Sequence, residues 1–352
     1  MVNRDSRGFF EALIGDGRPL VALTAICLGL SGLFAILQFA GGHFLPHDVA
    51  FLAMTAEDLC DVNECRVVHF MFHDRVSFGG SLIALAALYL WLAEFPLRSR
   101  ERWAWWALLV SGVLGFGSFL TYLGYGYLDT WHGAATLLLL PCFVGALWRL
   151  RSMVNSPPDL TGEDHNPHVI LTPAKWAAWP TAAGLGRACL LMSALGTIGA
   201  GITIQIFGMT SVFVPSDLVF MGISTAKLNE INPRLIPLIA HDRAGFGGGI
   251  ATAGFLVVAV IWFARPCRSL WQALFVAGIV GWTSAIGIHP VIGYTDTLHL
   301  APAVIGAVLY FTGLALVWPL SYGTSATEDR GVRANVASPE KLKAPTSRST
   351  PN

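Results

Sequence analysis

The sequence predicts an all-α, polytopic membrane protein with eight transmembrane helices arranged as two tandem, parallel four-helix bundles. Three observations predict it. Charged residues make up only 12% of the chain and hydrophobic ones 54%, with a mean hydropathy of +0.59; soluble domains carry about a quarter charged residues. Long apolar runs recur along the whole length. A set of rare polar residues occurs twice, in the same order.

The apolar runs fall near residues 19–41, 77–95, 104–124, 131–149, 183–207, 245–264, 269–289 and 299–319. Each is close to the ~20 residues a helix needs to cross a ~30 Å hydrocarbon layer, where only helices and closed barrels satisfy their backbone hydrogen bonds. Gly112, Gly115 and Gly117 inside the third run suit close helix packing. The first run follows Arg4, Arg7 and Arg18. It is long for a signal peptide and seven more runs follow, so it reads as a retained helix. Residues 1–18 then form a cytoplasmic N-terminus, 19–149 the first membrane repeat, 150–182 a linker, 183–319 the second repeat and 320–352 a polar, disordered tail. Arg98, Arg100, Arg102, Arg149, Arg151, Lys175, Arg187, Arg265 and Arg268 share one side with both termini. The positive-inside rule makes that side cytoplasmic, in a plasma-membrane protein whose constant partner is the lipid bilayer. A net charge of zero gives no basic field for nucleic acid.

The duplication is legible in polar residues. Phe44-Leu45-Pro46-His47-Asp48 is matched by Phe213-Val214-Pro215-Ser216-Asp217, and His73-Asp74-Arg75 by His241-Asp242-Arg243. Phe78-Gly79-Gly80 recurs as Phe246-Gly247-Gly248, and Tyr127-Leu128-Asp129-Thr130-Trp131-His132 as Tyr294-Thr295-Asp296-Thr297-Leu298-His299. Four spans per copy is an even number, so both copies enter the membrane with the same polarity.

Ionisable residues at membrane depth are costly and point to function. His73 with His132, and His241 with His299, open the second and fourth helices of each copy, where a bundle can hold a cofactor between facing side chains. Two imidazoles at one height suit the axial positions of haem iron, and Arg75 or Arg243 suits a propionate. Asp74 either pairs with Arg75 or caps its helix. Asp129 and Asp296, three residues before a histidine, either share its face or act as N-caps. Two rival chemistries draw on the same residues. One is a divalent-metal site of mixed nitrogen and oxygen ligands. The other is a proton-coupled transporter of small molecules lined by Asp74, Asp242, Asp129 and Asp296. A purely structural use of the repeated residues, Asp48 and Asp217 included, is the third alternative. His289 has no histidine counterpart in the first copy, and Cys60 and Cys65, a possible disulfide on an oxidising face, have none in the second.

This layout resembles the haem A synthase family: tandem four-helix bundles, a histidine on the second and fourth helix of each, and a cysteine pair in the first outer loop. The resemblance implies a haem b cofactor on His241 and His299, and an oxidoreductase or electron carrier. It places a porphyrin substrate at His73 and His132; Asp74 joins them as a catalytic candidate, and a quinone-type small molecule is the other possible partner. The glutamate which that family carries shortly before the first histidine has no match, since Phe70, Met71 and Phe72 precede His73.

Overall fold

The structure is a computed structural model. It describes residues 14–120, 127, 130–155, 174 and 176–336, with Gly8 and Glu11, and omits the side chains at 119–120, 131–132, 153–155 and 323–336. Among the described residues every regular element is a helix. In chain order these are α1 (Arg18–Gly41), the short α2 (Pro46–Leu52) and α3 (Ala56–Cys60), α4 (Arg66–Glu94), α5 (Arg102–Leu120) and α6 (Thr130–Asn155). Then follow α7 (Ala182–Met209), the short α8 (Pro215–Met221) and α9 (Thr225–Ile231), α10 (Leu235–Phe263), α11 (Arg268–Ile292) and α12 (Thr297–Val336). Seven of them, α1, α4, α6, α7, α10, α11 and α12, are long and apolar enough to cross a membrane, where the sequence predicts eight.

Two helices begin earlier than the apolar runs suggest. α4 starts at Arg66, not near residue 77, and α10 at Leu235, not near 245. The His-Asp-Arg triplets lower local hydropathy and so mimic a helix end. They sit about two turns inside a continuous helix, where their side chains are buried against neighbouring helices. At the other end of the chain the backbone of α12 stays helical to Val336, past the predicted boundary at 319.

The helices do not form two separate four-helix bundles. α4 and α10 are the buried pair: 78% and 72% of their apolar stretches are enclosed, against 22–33% for the other five. They pack on each other at the centre. α1, α6 and α5 close a ring on one side of this pair, and α11, α12 and α7 close a ring on the other. We call these the first and second lobes. α11 lies against α4, and α5 against α10, so the third long helix of each half packs on the central helix of the other half. Small residues permit these crossings. Gly80 of α4 faces Ser284 of α11, and Gly248 of α10 faces Ser118 of α5. Within each half, α1 meets α4 and α7 meets α10 at backbone distance: a Cβ on Gly79 would stand 2.6 Å from the Gly32 carbonyl oxygen, and one on Gly247 2.6 Å from that of Gly201.

The short helices cover one end of the lobes, and the halves hold each other there. Asn232 Nδ2 donates to the Leu52 carbonyl at 2.7 Å and Arg234 to that of Phe51 at 2.6 Å, while Asn63 Nδ2 donates to the Met221 carbonyl. Cys60 and Cys65 are joined in a disulfide across the turn that carries Asn63, whose residues Asn63, Glu64 and Cys65 all have positive φ. Such backbone is unfavourable for non-glycine residues, so the covalent link and the Asn63 contact hold a turn that the local sequence alone does not favour.

A candidate metal site of three histidines

In the second lobe, α4, α11 and α12 bring His73, His289 and His299 together. One ring nitrogen from each lies within 4.8 Å of the others. His73 and His289 are buried and His299 is half-buried. The Nε2 atoms of His73 and His289 are 3.0 Å apart, with ring planes at 82°.

The surroundings fix two tautomers. His73 Nδ1 lies 2.9 Å from Asp74 Oδ1, so Nδ1 carries the proton and donates to the carboxylate. Its Nε2 is left with a lone pair facing His289. The phenol of Tyr294 lies 2.8 Å from Asp217 Oδ1 and 3.2 Å from His299 Nδ1. Burial pushes this phenol above its ordinary pKa, so it keeps its one proton. That proton goes to the carboxylate, the stronger acceptor. The phenol oxygen therefore accepts from His299 Nδ1, and the Nε2 of His299 also presents a lone pair. Lone pairs converging in a buried place call for a cation or a shared proton, and carboxylate-backed imidazoles are what metal centres use to orient their ligands.

A buried ionic frame surrounds the cluster. Arg243 donates to Asp217 at 2.5 Å and to the Val212 carbonyl at 2.7 Å, and its Nε lies 3.5 Å from Asp74. The frame sets two carboxylates around one guanidinium, with Asp74 joining it to His73 of the cluster.

The first lobe has a matching frame. Arg75 donates to Asp242 at 2.8 Å and to Asp48 at 2.7 Å, Tyr127 donates to Asp48 at 2.5 Å, and His241 Nδ1 lies 3.1 Å from Asp242. The ring of His241 stands 4.9 Å from that of Tyr127. A cavity of about 450 Å³ adjoins this frame, bounded by Gln38, Asp48, Arg75, Phe116, Thr136 and Asp242 among others.

The pairings read from the sequence are corrected here. His299 belongs with His73, its ring centroid 6.1 Å away, and not with His241. Because each central helix is flanked by the other half's third helix, cross-half neighbours replace same-half ones. The side chain of His132 and the whole of Asp129 lie outside the described residues. Arg75 and Arg243 are each engaged by two aspartates. Asp296 is exposed and caps α12 by accepting from the His299 backbone N–H at 2.7 Å. Asp48, Asp74, Asp217 and Asp242 are all in the two frames. His289 is the member of the cluster that sequence reasoning set aside. Its lack of a histidine counterpart was itself the signal: in register, Tyr122 stands where His289 does.

Axial ligands must approach iron from opposite faces of the macrocycle, and two nitrogens 3.0 Å apart leave no room for one between His73 and His289. Three converging imidazoles fit a single small ion. No protein-family model, no curated protein and no solved structure matches this chain.

Proposed function

We propose that the chain is a multi-pass membrane metalloprotein of duplicated design, in which His73, His289 and His299 bind one transition-metal ion. The observation that carries this reading is the convergence of three enclosed imidazoles, two of them with their lone pairs turned inward by Asp74 and Tyr294. Imidazole sets of this kind suit zinc, copper, iron or nickel. Such an ion with an open position supplies Lewis-acid chemistry or, if redox-active, a one-electron centre.

Duplication is supported by contacts with a counterpart in each half. Gly32–Gly79 is matched by Gly201–Gly247, Arg75–Asp48 by Arg243–Asp217, and Tyr127–Asp48 by Tyr294–Asp217. Trp105 donating to the Leu147 carbonyl is matched by Trp271 donating to that of Leu314. On this reading α5 is the eighth span, and the end rich in arginine, with both termini, faces the cytoplasm of a plasma-membrane protein.

The test is elemental analysis of the purified protein after expression with zinc, iron and copper supplied. About one metal equivalent is expected, falling to background in His73→Ala and His299→Ala. Metal-free wild-type protein ends the proposal. A second reading keeps haem b on His241, one of the two histidines the haem A synthase resemblance assigns to it, and is favoured by the larger cavity beside Arg75 and Asp242. It requires a Soret band that survives His289→Ala and is lost in His241→Ala. The transporter reading draws less support: Asp296 caps a helix and Asp74 is held by His73 and Arg243.

A further inference from the structure

Next to the three histidines, α4, α7, α10, α11 and α12 enclose a second cavity, of about 100 Å³. It begins at the cluster. Ser77 lies one turn beyond His73 on α4, Ala285 one turn before His289 on α11, and both line its wall. From there the lining on α4 runs to Leu88, about 16 Å along the helix at 1.5 Å per residue. A space so long and so small is a slot about as wide as one alkyl chain. It is too narrow for a porphyrin or a quinone ring.

The slot's polarity is graded. Its far part is walled by Leu88, Ala194, Val257 and Ala277. Four hydroxyl groups reach it, and three are already satisfied. Ser81 donates to the Phe78 carbonyl, Thr197 to that of Ser193 and Tyr310 to that of Leu274, at 2.7, 2.8 and 2.7 Å. Ser77 is the exception. It is 2% exposed, and its Oγ has no hydrogen-bond partner among the described residues. Buried hydroxyls are almost always paired, so an orphan at the mouth of a cavity points to a ligand atom.

We propose that this slot takes a membrane-borne alkyl chain with a terminal oxygen, such as a long-chain alcohol, with the oxygen on Ser77 and the chain along α4. The proposal rests on the three-histidine reading for what the oxygen meets, since Ser77 places it beside the metal ligands. A chain enters from the bilayer without leaving an apolar phase, and Ser77 gives the one hydrogen bond that fixes its direction.

The experiment uses the full-length protein in lipid nanodiscs and a photoactivatable sixteen-carbon primary alcohol carrying an alkyne tag. Crosslinked peptides are mapped by mass spectrometry, and metal content is measured on the same samples. Labels are expected on the segments around Ile250–Val257 and Ala277–Ala285, displaced by excess unlabelled alcohol. Gly281→Leu fills the slot, and a Cβ at Gly281 meets only ordinary contact, with the Ala84 Cβ at 3.8 Å. It should cut slot labelling at least tenfold and leave the metal in place. Ser77→Ala should weaken competition by the alcohol about 2–10-fold, the effect of one neutral hydrogen bond, while competition by hexadecane stays unchanged. Labels confined to lipid-facing residues, or no displacement of wild-type labelling by unlabelled alcohol, overturn the proposal even if the metal is present. Slot labelling in metal-free protein supports the slot and removes the metal reading instead.

Discussion

In the second lobe Arg243 bridges Asp217 and Asp74, and Asp74 in turn holds His73. In the first lobe Arg75 bridges Asp48 and Asp242, and Asp242 holds His241. The two frames match residue for residue, each tied to a tyrosine through the aspartate of a short helix. They differ in how they are tightened. Arg75 makes hydrogen bonds to both of its carboxylates, whereas Arg243 bonds Asp217 and a carbonyl and stands 3.5 Å from Asp74. They also differ in sequence: His289 of the second half aligns with Tyr122 of the first, a position outside the described residues. The comparison teaches that the ionic frame belongs to the architecture, since both halves need it where each central helix enters the other's lobe. The cluster of three histidines lies in one lobe, and on the proposed reading the metal site turns on one residue, His289.

The largest expected effect breaks the frame of the first lobe. Asp242→Ala removes one of the two carboxylates beside Arg75 and the one that lies against His241 Nδ1. Arg75 keeps Asp48, so what is lost is two hydrogen bonds to a carboxylate, from Arg75 and from His241, at about 1.5–3 kcal/mol each; the melting temperature in detergent should fall well below wild type, with the metal content of the folded fraction unchanged. A loss of metal without a loss of stability would show that the division of labour between the lobes is drawn the wrong way round.

His289→Tyr comes next. It gives the second half the residue that the first half carries. Sharing the ~10–16 kcal/mol of a structural zinc site equally among four ligands gives about 2.5–4 kcal/mol per ligand, a loss of about two to three decades in Kd, read by competition with a chelating dye. Folding stability of the metal-free protein should change little. Asp74→Asn is smaller and tests orientation. Arg243 keeps Asp217 and the Val212 carbonyl, while His73 loses its carboxylate, so metal should bind about 10–100-fold more weakly. The matching Asp242→Asn should leave metal affinity alone.

The sequence made the lobes partly legible. Apolar length located the helices, and the doubled polar motifs marked the frame residues Asp48, Asp74, Asp217 and Asp242 before any geometry was known. What it hid was partnership. Hydropathy says that α4 lies in the membrane but not which helices surround it. The assumption that a half folds on itself paired His73 with His132 and His241 with His299. Crossing at Gly80–Ser284 places α11 against α4 instead, and that contact delivers His289. A search for repeated residues is blind to a ligand whose value lies in being unrepeated.

The smallest effect compares the short helices at the ends of the two halves. α3 is opened by a capping box: Asp58 N–H donates to Thr55 Oγ1 at 3.1 Å, and Asp58 accepts from the Thr55 backbone N–H at 2.8 Å and its hydroxyl at 2.9 Å. α9 has only the Ser224 hydroxyl, which accepts from the Lys227 N–H at 3.2 Å. The hydrogen bonds from Thr55 hold the Asp58 carboxyl below its usual value of 3.8. A depressed folded-state pKa means that the stabilisation is fully present above 3.8 and is lost as pH falls through the lower, folded value. A metal held by the histidines would leave at higher pH than this, so the reading must be local. Hydrogen exchange at the α3 amides should quicken between about pH 4 and pH 2, after correction for intrinsic rates, while α9 shows no such step. Thr55→Val should abolish the difference. An equal step in α9 would assign the change to general acid loosening of that end and not to the Thr55–Asp58 box.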